Sequence, residues 1–375
     1  MTRTILDIHV LQTVPPSNLN RDDTGSPKTA IYGGARRARV SSQAWKRATR
    51  KAFEDLLDPS ELGVRTKQVV DVLAQRITAR DAGLAERAEE LAKETFKAIG
   101  IKTSAPRKGE TEESGYLLFL SARQLDNLAE AAVAAAHSPQ GVAAELKARD
   151  VKALADREHS VDVALFGRMV ADVADLNVDA AAQVAHAISV HPVENEYDYY
   201  TAVDDRKQDQ EETGAGMIGT VEFNSATLYR YATVDVDRLQ DNLGDPLATR
   251  RAVEAFVRAF VTSMPTGKQN TFANRTLPDA VLVKLRETQP INFVGAFEEA
   301  VGAYDTTGRV QEAATRLAEY AREVEHAYDE RALASWLIRV GDRTKALAEL
   351  GEEVTLDGLI NAIGTQVSAR LVPAS

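Results

Sequence analysis

The chain has 375 residues, 44% of them hydrophobic, with 45 Lys and Arg against 56 Asp and Glu and a formal net charge of -11. That length and apolar content support a folded protein of two or three structural units of about 150 residues each. No cysteine occurs, which excludes disulfides, thiolate nucleophiles and zinc sites built on paired thiolates. The apolar run at the start is broken by Asp7 and His9, and the most apolar later stretch, 131–137, is far shorter than the ~18–20 residues of a membrane span, so the expectation is a cytoplasmic protein with no membrane contact.

In chain order, TILDIHVLQT sets Leu6, Ile8 and Val10 against Asp7 and His9, the period of a half-buried strand. A long loop rich in Pro, Asn, Asp and Gly follows and ends at Gly33 and Gly34, where backbone can approach a ligand closely. After RRARV, a short strand, Ser41 or Ser42 caps a helix that puts Trp45, Ala48, Ala52, Phe53 and Leu56 on one face and Lys46, Arg47, Arg50 and Lys51 on the other. From about 59 to 190 the pattern is mostly helical: Val69, Val70, Leu73 and Ile77 form one stripe, and Leu84, Ala88, Leu91, Thr95 and Ile99 form another that stops at Gly100. YLLFL at 116–120 reads as a buried strand leading into a capping box, Ser121 to Gln124. The segment 194–219 has no helical stripe and reads as a projecting loop, followed by the strand-like TVEFNSATLYRYATVDV. Val253, Phe256, Phe260 and Met264 line a helix, AVLVKL is another strand, and Leu317, Tyr320, Val324 and Tyr328 mark a helical C-terminal third. This order is expected of an α+β fold, a ferredoxin-like sheet covered by helices on one side and carrying large inserts.

Between Asp23 and Glu54 there is no carboxylate, while Lys28, Arg36, Arg37, Arg39, Lys46, Arg47, Arg50 and Lys51 all fall there. The rest of the chain then holds 37 basic against 56 acidic residues, so the positive charge is a local device. It is not laced with Glu or Asp at i+4, as a helix face built only for solubility would be. Ser41, Ser42 and Gln43 place donors at the helix start, where the dipole also favours an anion. Lys46 and Arg50 stand one turn apart, about 5–6 Å between Cβ atoms, close to the phosphate spacing of a single strand. Aromatic content is only 6%, which argues for backbone grip over an unselective stacking platform.

NLNRDD at 18–23, AIYGGARRARVSSQAWKRATRK at 30–51, VDVALFGRM at 161–169, VAHAIS at 184–189 with HPVENEYDYYTAVDD after it, and GKQNTFA at 267–273 together resemble the CasC-type backbone subunit of type I-E CRISPR Cascade, in the RAMP superfamily. The resemblance implies an RRM-like (ferredoxin-like) palm from 1–58 and 220–375, a large helical finger insertion over 59–190 and a thumb loop over 191–219. It also implies copies stacked along one CRISPR RNA, pairing of the guide with target DNA, other Cascade subunits and a recruited nuclease-helicase, and no cofactor. On the motifs, Lys28, Ser41, Gln43, Lys46 and Arg50 would hold the RNA backbone, with Asn20, Arg21, Lys268 and Gln269 adding contacts; Arg36, Ser42 and Arg47 of the basic segment join this set. Arg168 and Met169 would meet the bases, Met169 as an apolar wedge. Tyr199, Tyr200 and Thr201 would sit where the thumb displaces a base. Relatives commonly carry a basic residue where this chain has Ala35 and a Trp-Phe pair where it has Tyr199 and Tyr200.

Two other readings compete. Asp22 with Asp23, and Asp204 with Asp205, invite a metal-dependent RNA nuclease, although neighbouring residues of an extended chain point to opposite faces and poorly share one metal. A stand-alone RRM-like RNA-binding regulator would need strand aromatics, for which Tyr229 and Tyr231 alternate correctly, though sheet-core packing is the simpler use. His186 and His191 are five apart and read as structural, and GKQ lacks the remainder of a P-loop. The expectation is therefore a binding scaffold with no catalytic and no metal-ligating residue.

Overall fold

A computed structural model describes residues 3–107, 110–202, 217–302 and 308–371. The chain divides into two units, one of Met1–Ala52, Val184–Thr233 and Phe256–Gln366, the other of Phe53–Gln183, Val234–Ala255 and Val367–Ser375.

The first unit is built on a mixed sheet. Its strands are β1 (Ile5–Ser17), β2 (Thr29–Tyr32), β3 (Ala35–Val40), β4 (Ala187–Ser189), β5 (Glu196–Ala202), β6 (Met217–Asp235), β7 (Ala280–Arg286), β8 (Ala334–Arg339) and β9 (Glu352–Glu353). They lie in the order β9-β8-β7-β1-β6-β4-β3-β2, with β5 pairing β6. β1 and β7 are antiparallel, with Ile8 opposite Val283, whereas β8 and β9 are parallel. Its principal helices are α1 (Ser42–Ala52) and α2 (Arg309–Ala327).

Both faces of this sheet are covered, against the expectation of helices on one side. Even positions of β1 and β6, Val14, Ala226 and Leu228, pack with Trp45 of α1 and with Met264. Odd positions, Leu11, Tyr229 and Tyr231, pack with Phe293, Phe297 and Leu317 of α2. β1 is consequently buried from Thr4 to Gln12, and the alternation of polar residues does not face solvent. Tyr231 Oη donates to Asp7 Oδ1 at 2.7 Å, and Arg286 Nε and the Ile291 amide reach Oδ2 at 3.1 Å each. Burial nonetheless raises the Asp7 carboxyl above the usual range, opposed by these donors. His9 stacks on Phe293 at 4.4 Å and shares a 2.9 Å hydrogen bond with the Tyr229 hydroxyl. A period of two thus marked a strand correctly but misassigned its polar face, because a buried polar network also alternates.

Two further expectations change. The long N-terminal loop is shorter, since β1 runs to Ser17 and β2 forms a hairpin with β3 around Gly33 and Gly34. Gly33 adopts φ +56, and a Cβ there would fall 1.6 Å from the Glu298 carbonyl oxygen, so the turn needs glycine. The C-terminal third also supplies β8 and β9 to the sheet.

The second unit is mainly helical. The stripes read from the sequence become the helices Val69–Arg80 and Ala88–Ile99, the latter ended by Gly100 at φ 98. Both join Ala122–His137 around Val70, Leu73, Ile77, Leu91, Phe96, Leu125 and Leu128. The Ser121 capping box forms, with the Gln124 amide donating to Ser121 Oγ and the Ser121 amide to Gln124 Oε1, each at 2.9 Å. The strand before it, Leu118–Ser121, pairs with Gly63–Thr66, while Leu117 is exposed.

Candidate nucleic-acid interface

α1 begins where β3 leaves the sheet, and Ser41 Oγ caps it by accepting from the Ala44 amide at 3.3 Å. Trp45, Thr49 and, just past the helix, Phe53 are fully buried. That fixes the rotation of α1 and turns Arg47 and Lys51 to the surface, with Lys46 and Arg50 half-buried. Leu56, expected on the buried face, is exposed. Burial pulls the Lys46 ammonium below its usual range, so an approaching phosphate meets a cation already stripped of some water.

The loop before β2 is tied to the start of α1. The Ser41 amide donates to Asn20 Oδ1 at 2.9 Å, and the Lys28 amide to the Asn20 carbonyl at 2.9 Å. Arg21 is exposed beside this loop and bridges Pro27. Ser41 is itself buried, its amide and hydroxyl engaged within the protein, so the donors left at the surface are half-buried Ser42 and exposed Gln43. Asn20, Lys28, Arg39 and Asn224 form the polar part of a narrow cleft floored by Val14, Leu19, Val40 and Leu228.

Gly267 of GKQ packs on the same loop: a Cβ there would lie 2.3 Å from the Leu19 carbonyl oxygen. This sets Lys268, at φ 51, and exposed Gln269 beside the residues that carry Asn20. Asn18 Nδ2 donates to the Glu222 carbonyl of β6 at 2.9 Å, and Phe223 meets Phe272 at 5.6 Å between centroids. Loop, α1, the GKQ turn and the base of β6 therefore join into one surface of the first unit.

The segment read as a projecting loop holds instead a two-stranded ribbon of β5 and β6, with Tyr199 opposite Thr220 and Tyr200 opposite Gly219. Residues 203–216, including Asp204 and Asp205, and the side chain of Thr201 lie outside the described residues. Strand alternation puts Tyr197 and Tyr199, both more than half exposed, on one face and Tyr200 on the other. The Tyr200 ring lies over Gly219, where a Cβ would be 2.5 Å away. Tyr197 is thus the partner of Tyr199 on its face.

Not all of the eight basic residues face outward. Arg37 is fully buried, donating to the carbonyls of Ser189 at 2.9 Å, Phe297 at 2.9 Å and Glu298 at 3.0 Å, while Arg36 beside it is exposed. Arg39 contacts the Thr29 carbonyl and His186 Nδ1, each at 3.2 Å. His186 is held below the ordinary imidazole range by burial and by Arg39 and Lys28. His191 is structural: the Thr227 amide donates to its Nε2 at 3.1 Å, Nδ1 pairs with the Pro192 carbonyl at 2.8 Å, and burial lowers it to about 4.

Arg168 and Met169 belong to the second unit. Arg168 is buried, with hydrogen bonds to the Leu176 carbonyl at 2.7 Å, the Ala155 carbonyl at 3.1 Å and Asp156 at 3.0 Å. Burial lowers the guanidinium to about 10. Its fork is occupied within the protein, so it positions the segment that carries Met169, a residue 80% exposed. Asp22 is likewise engaged: its Oδ1 accepts from the Thr24 amide at 2.9 Å, Thr24 Oγ1 at 2.7 Å and the Ser26 amide at 3.1 Å. Among the described residues no three His, Asp or Glu cluster as a metal site, and no helix is long and apolar enough to cross a membrane. Tyr229 and Tyr231 are buried in the sheet core and unavailable for stacking on bases.

Residues 6–362 match a protein family described as CT1975-like protein. A chain of a solved structure described as "CRISPR RNA-guided surveillance complex, pre-nicking" is 37% identical, with a TM-score of 0.86 over 97% of this chain and all of the other. A chain of a second, described as "CRISPR RNA-guided surveillance complex", is 32% identical, with a TM-score of 0.73 over 96% of this chain and 99% of that one. No curated protein sequence matches.

Proposed function

This chain belongs to the CT1975-like protein family, and on that premise we propose that it is the guide-binding backbone subunit of a type I-E CRISPR surveillance complex. Copies assemble along a CRISPR RNA in the cytoplasm, grip its sugar-phosphate backbone without sequence preference, and present its bases for pairing with target DNA, alongside other Cascade subunits and a recruited nuclease-helicase. In this reading the sheet unit acts as an RRM-like palm, the helical segment 59–190 as a finger and the β5–β6 ribbon as a thumb. The role is binding, not catalysis.

The observation that carries the reading is the basic segment from Lys28 to Lys51, which contains no carboxylate, is organised by α1 and is joined by the Asn20 loop and the GKQ turn. Lys28, Arg36, Ser42, Gln43, Lys46, Arg47 and Arg50 offer donors to phosphates, with Arg21, Lys268 and Gln269 at the margin. Backbone contact of this kind positions the strand and carries no sequence information. Tyr199 with Tyr197, or Tyr200 across the ribbon, meets the displaced base, and Met169 serves as the apolar wedge. The engaged Asp22 carboxylate argues against the nuclease reading.

Native mass spectrometry of the chain with single-stranded RNAs of increasing length tests it. Copies bound should rise in proportion to length, on unrelated sequences alike; one copy per RNA irrespective of length, or preference for one sequence, would favour the stand-alone regulator.

A further inference from the structure

The sheet unit buries four cations whose side chains are almost wholly withdrawn from water: Arg37, Arg230, Lys284 and Arg286. Two have carboxylates. Arg286 meets Asp7 at 3.1 Å and Glu325 at 2.7 Å, and Lys284 meets Glu325 at 2.8 Å. The other two have none among the described residues. Arg37 is satisfied by three carbonyls. Arg230 donates to Gln12 Oε1 at 2.5 Å and to the Phe260 carbonyl, all neutral acceptors. Its guanidinium lies 3.7 Å from the centroid of the Trp45 ring and 4.5 Å from that of Phe260.

A buried charge without a counter-charge is expensive, and proteins ordinarily pair it. Trp45 belongs to α1, one residue from Lys46, so Arg230 sits directly beneath the helix that bears the surface cations, whereas Arg37 points to the opposite face of the sheet, toward Phe297.

We propose that Arg230 is a second, buried layer of positive charge whose counter-charge is the polynucleotide backbone on the outer side of α1. Arg230 touches no phosphate. It acts through Trp45 by holding α1, and through the field it projects across the helix. This rests on the RNA-binding reading above. Across one helix diameter of about 10 Å, at an effective dielectric of about 25–50, between the protein and water values, a single charge changes the affinity for an anion by roughly three- to tenfold.

The decisive variant is Gln12→Glu, which keeps the guanidinium in place and gives it a carboxylate. Binding to two unrelated single-stranded RNAs of equal length is measured on the full chain over a salt series beginning at low ionic strength. Gln12→Glu and Arg230→Met should each weaken binding by roughly three- to tenfold for both RNAs with the salt slope unchanged, because every surface cation that neutralises a phosphate is still in place. Arg230→Lys, which keeps the charge and loses the planar fork, should bind within about twofold of the unaltered chain. Normal binding by Gln12→Glu, or a loss in Arg230→Lys as large as in Arg230→Met, overturns the proposal; where Arg230→Met fails to fold, Gln12→Glu decides alone. A parallel Lys46→Ala and Arg50→Ala double variant separates the two claims. Weak binding there with normal Gln12→Glu overturns this inference only, whereas normal binding in both overturns the RNA reading as well.

Discussion

Arg168 in the helical unit and Arg230 in the sheet unit are both nearly inaccessible guanidinia, yet they are solved differently. Arg168 has the Asp156 carboxylate and two carbonyls, and its unit also holds partly exposed ion pairs, Arg76 with Asp126 at 2.5 Å and Lys93 with Glu89 at 3.1 Å. Arg230 has only neutral acceptors and two aromatic rings. The contrast separates a charge that completes its own fold from one that leaves its field available to something outside. Both stand within one acidic chain, so net charge does not predict either.

The largest effect belongs to the paired class. Asp7→Ala strands the fully buried Arg286 with one carboxylate fewer and leaves Tyr231 Oη and the Ile291 amide without their acceptor. Denaturant unfolding should show a loss of about 3–4 kcal/mol. Next comes His191, whose folded pKa of about 4 lies below its ordinary value. The unfolded chain then binds the extra proton between pH 6.5 and 4, so this contribution is complete above pH 6.5 and is lost as pH falls, by about 1.4 kcal/mol per pH unit and about 3 kcal/mol in all. Relative to the unaltered chain, His191→Gln should flatten the acid limb of a stability-pH curve by one proton; an unchanged limb would mean the imidazole is not held neutral.

Arg168→Met should cost about 2 kcal/mol, since its buried carbonyl acceptors are left unmade. The unpaired class should behave otherwise. Arg230→Met loses two hydrogen bonds but relieves a buried charge, so stability should change by about 1 kcal/mol or less. If Arg230→Met were as destabilising as Arg168→Met, the difference between the two arginines would vanish.

The helical unit was legible because its signals are local: a stripe at three and four, a glycine stop at Gly100 and a capping box at Ser121 each concern residues within one or two turns. The sheet was legible as strands but not as surfaces, because what covers Asp7 and His9 comes from Tyr229, Tyr231, Arg286 and Phe293, more than two hundred residues away. The resemblance to a CasC-type backbone subunit, assembled from five short motifs, agrees with the family match and with the two solved chains. Within the candidate site, α1 and its basic face followed from spacing. The sequence could not separate Arg36, which is exposed, from Arg37, which is buried, since adjacent strand residues face opposite ways and the parity depends on partners not yet known. Arg168 carried no local sign of burial, and Arg230 looked like any arginine in a strand.

The central claim is that the outer face of α1 binds phosphates. The most direct measurement is the salt dependence of RNA binding by the unaltered chain and by Lys46→Ala with Arg50→Ala. The double variant should bind more weakly, equally for unrelated sequences, with a slope of log affinity against log salt that is shallower by about 0.7 for each phosphate no longer neutralised. An unchanged slope would contradict that claim.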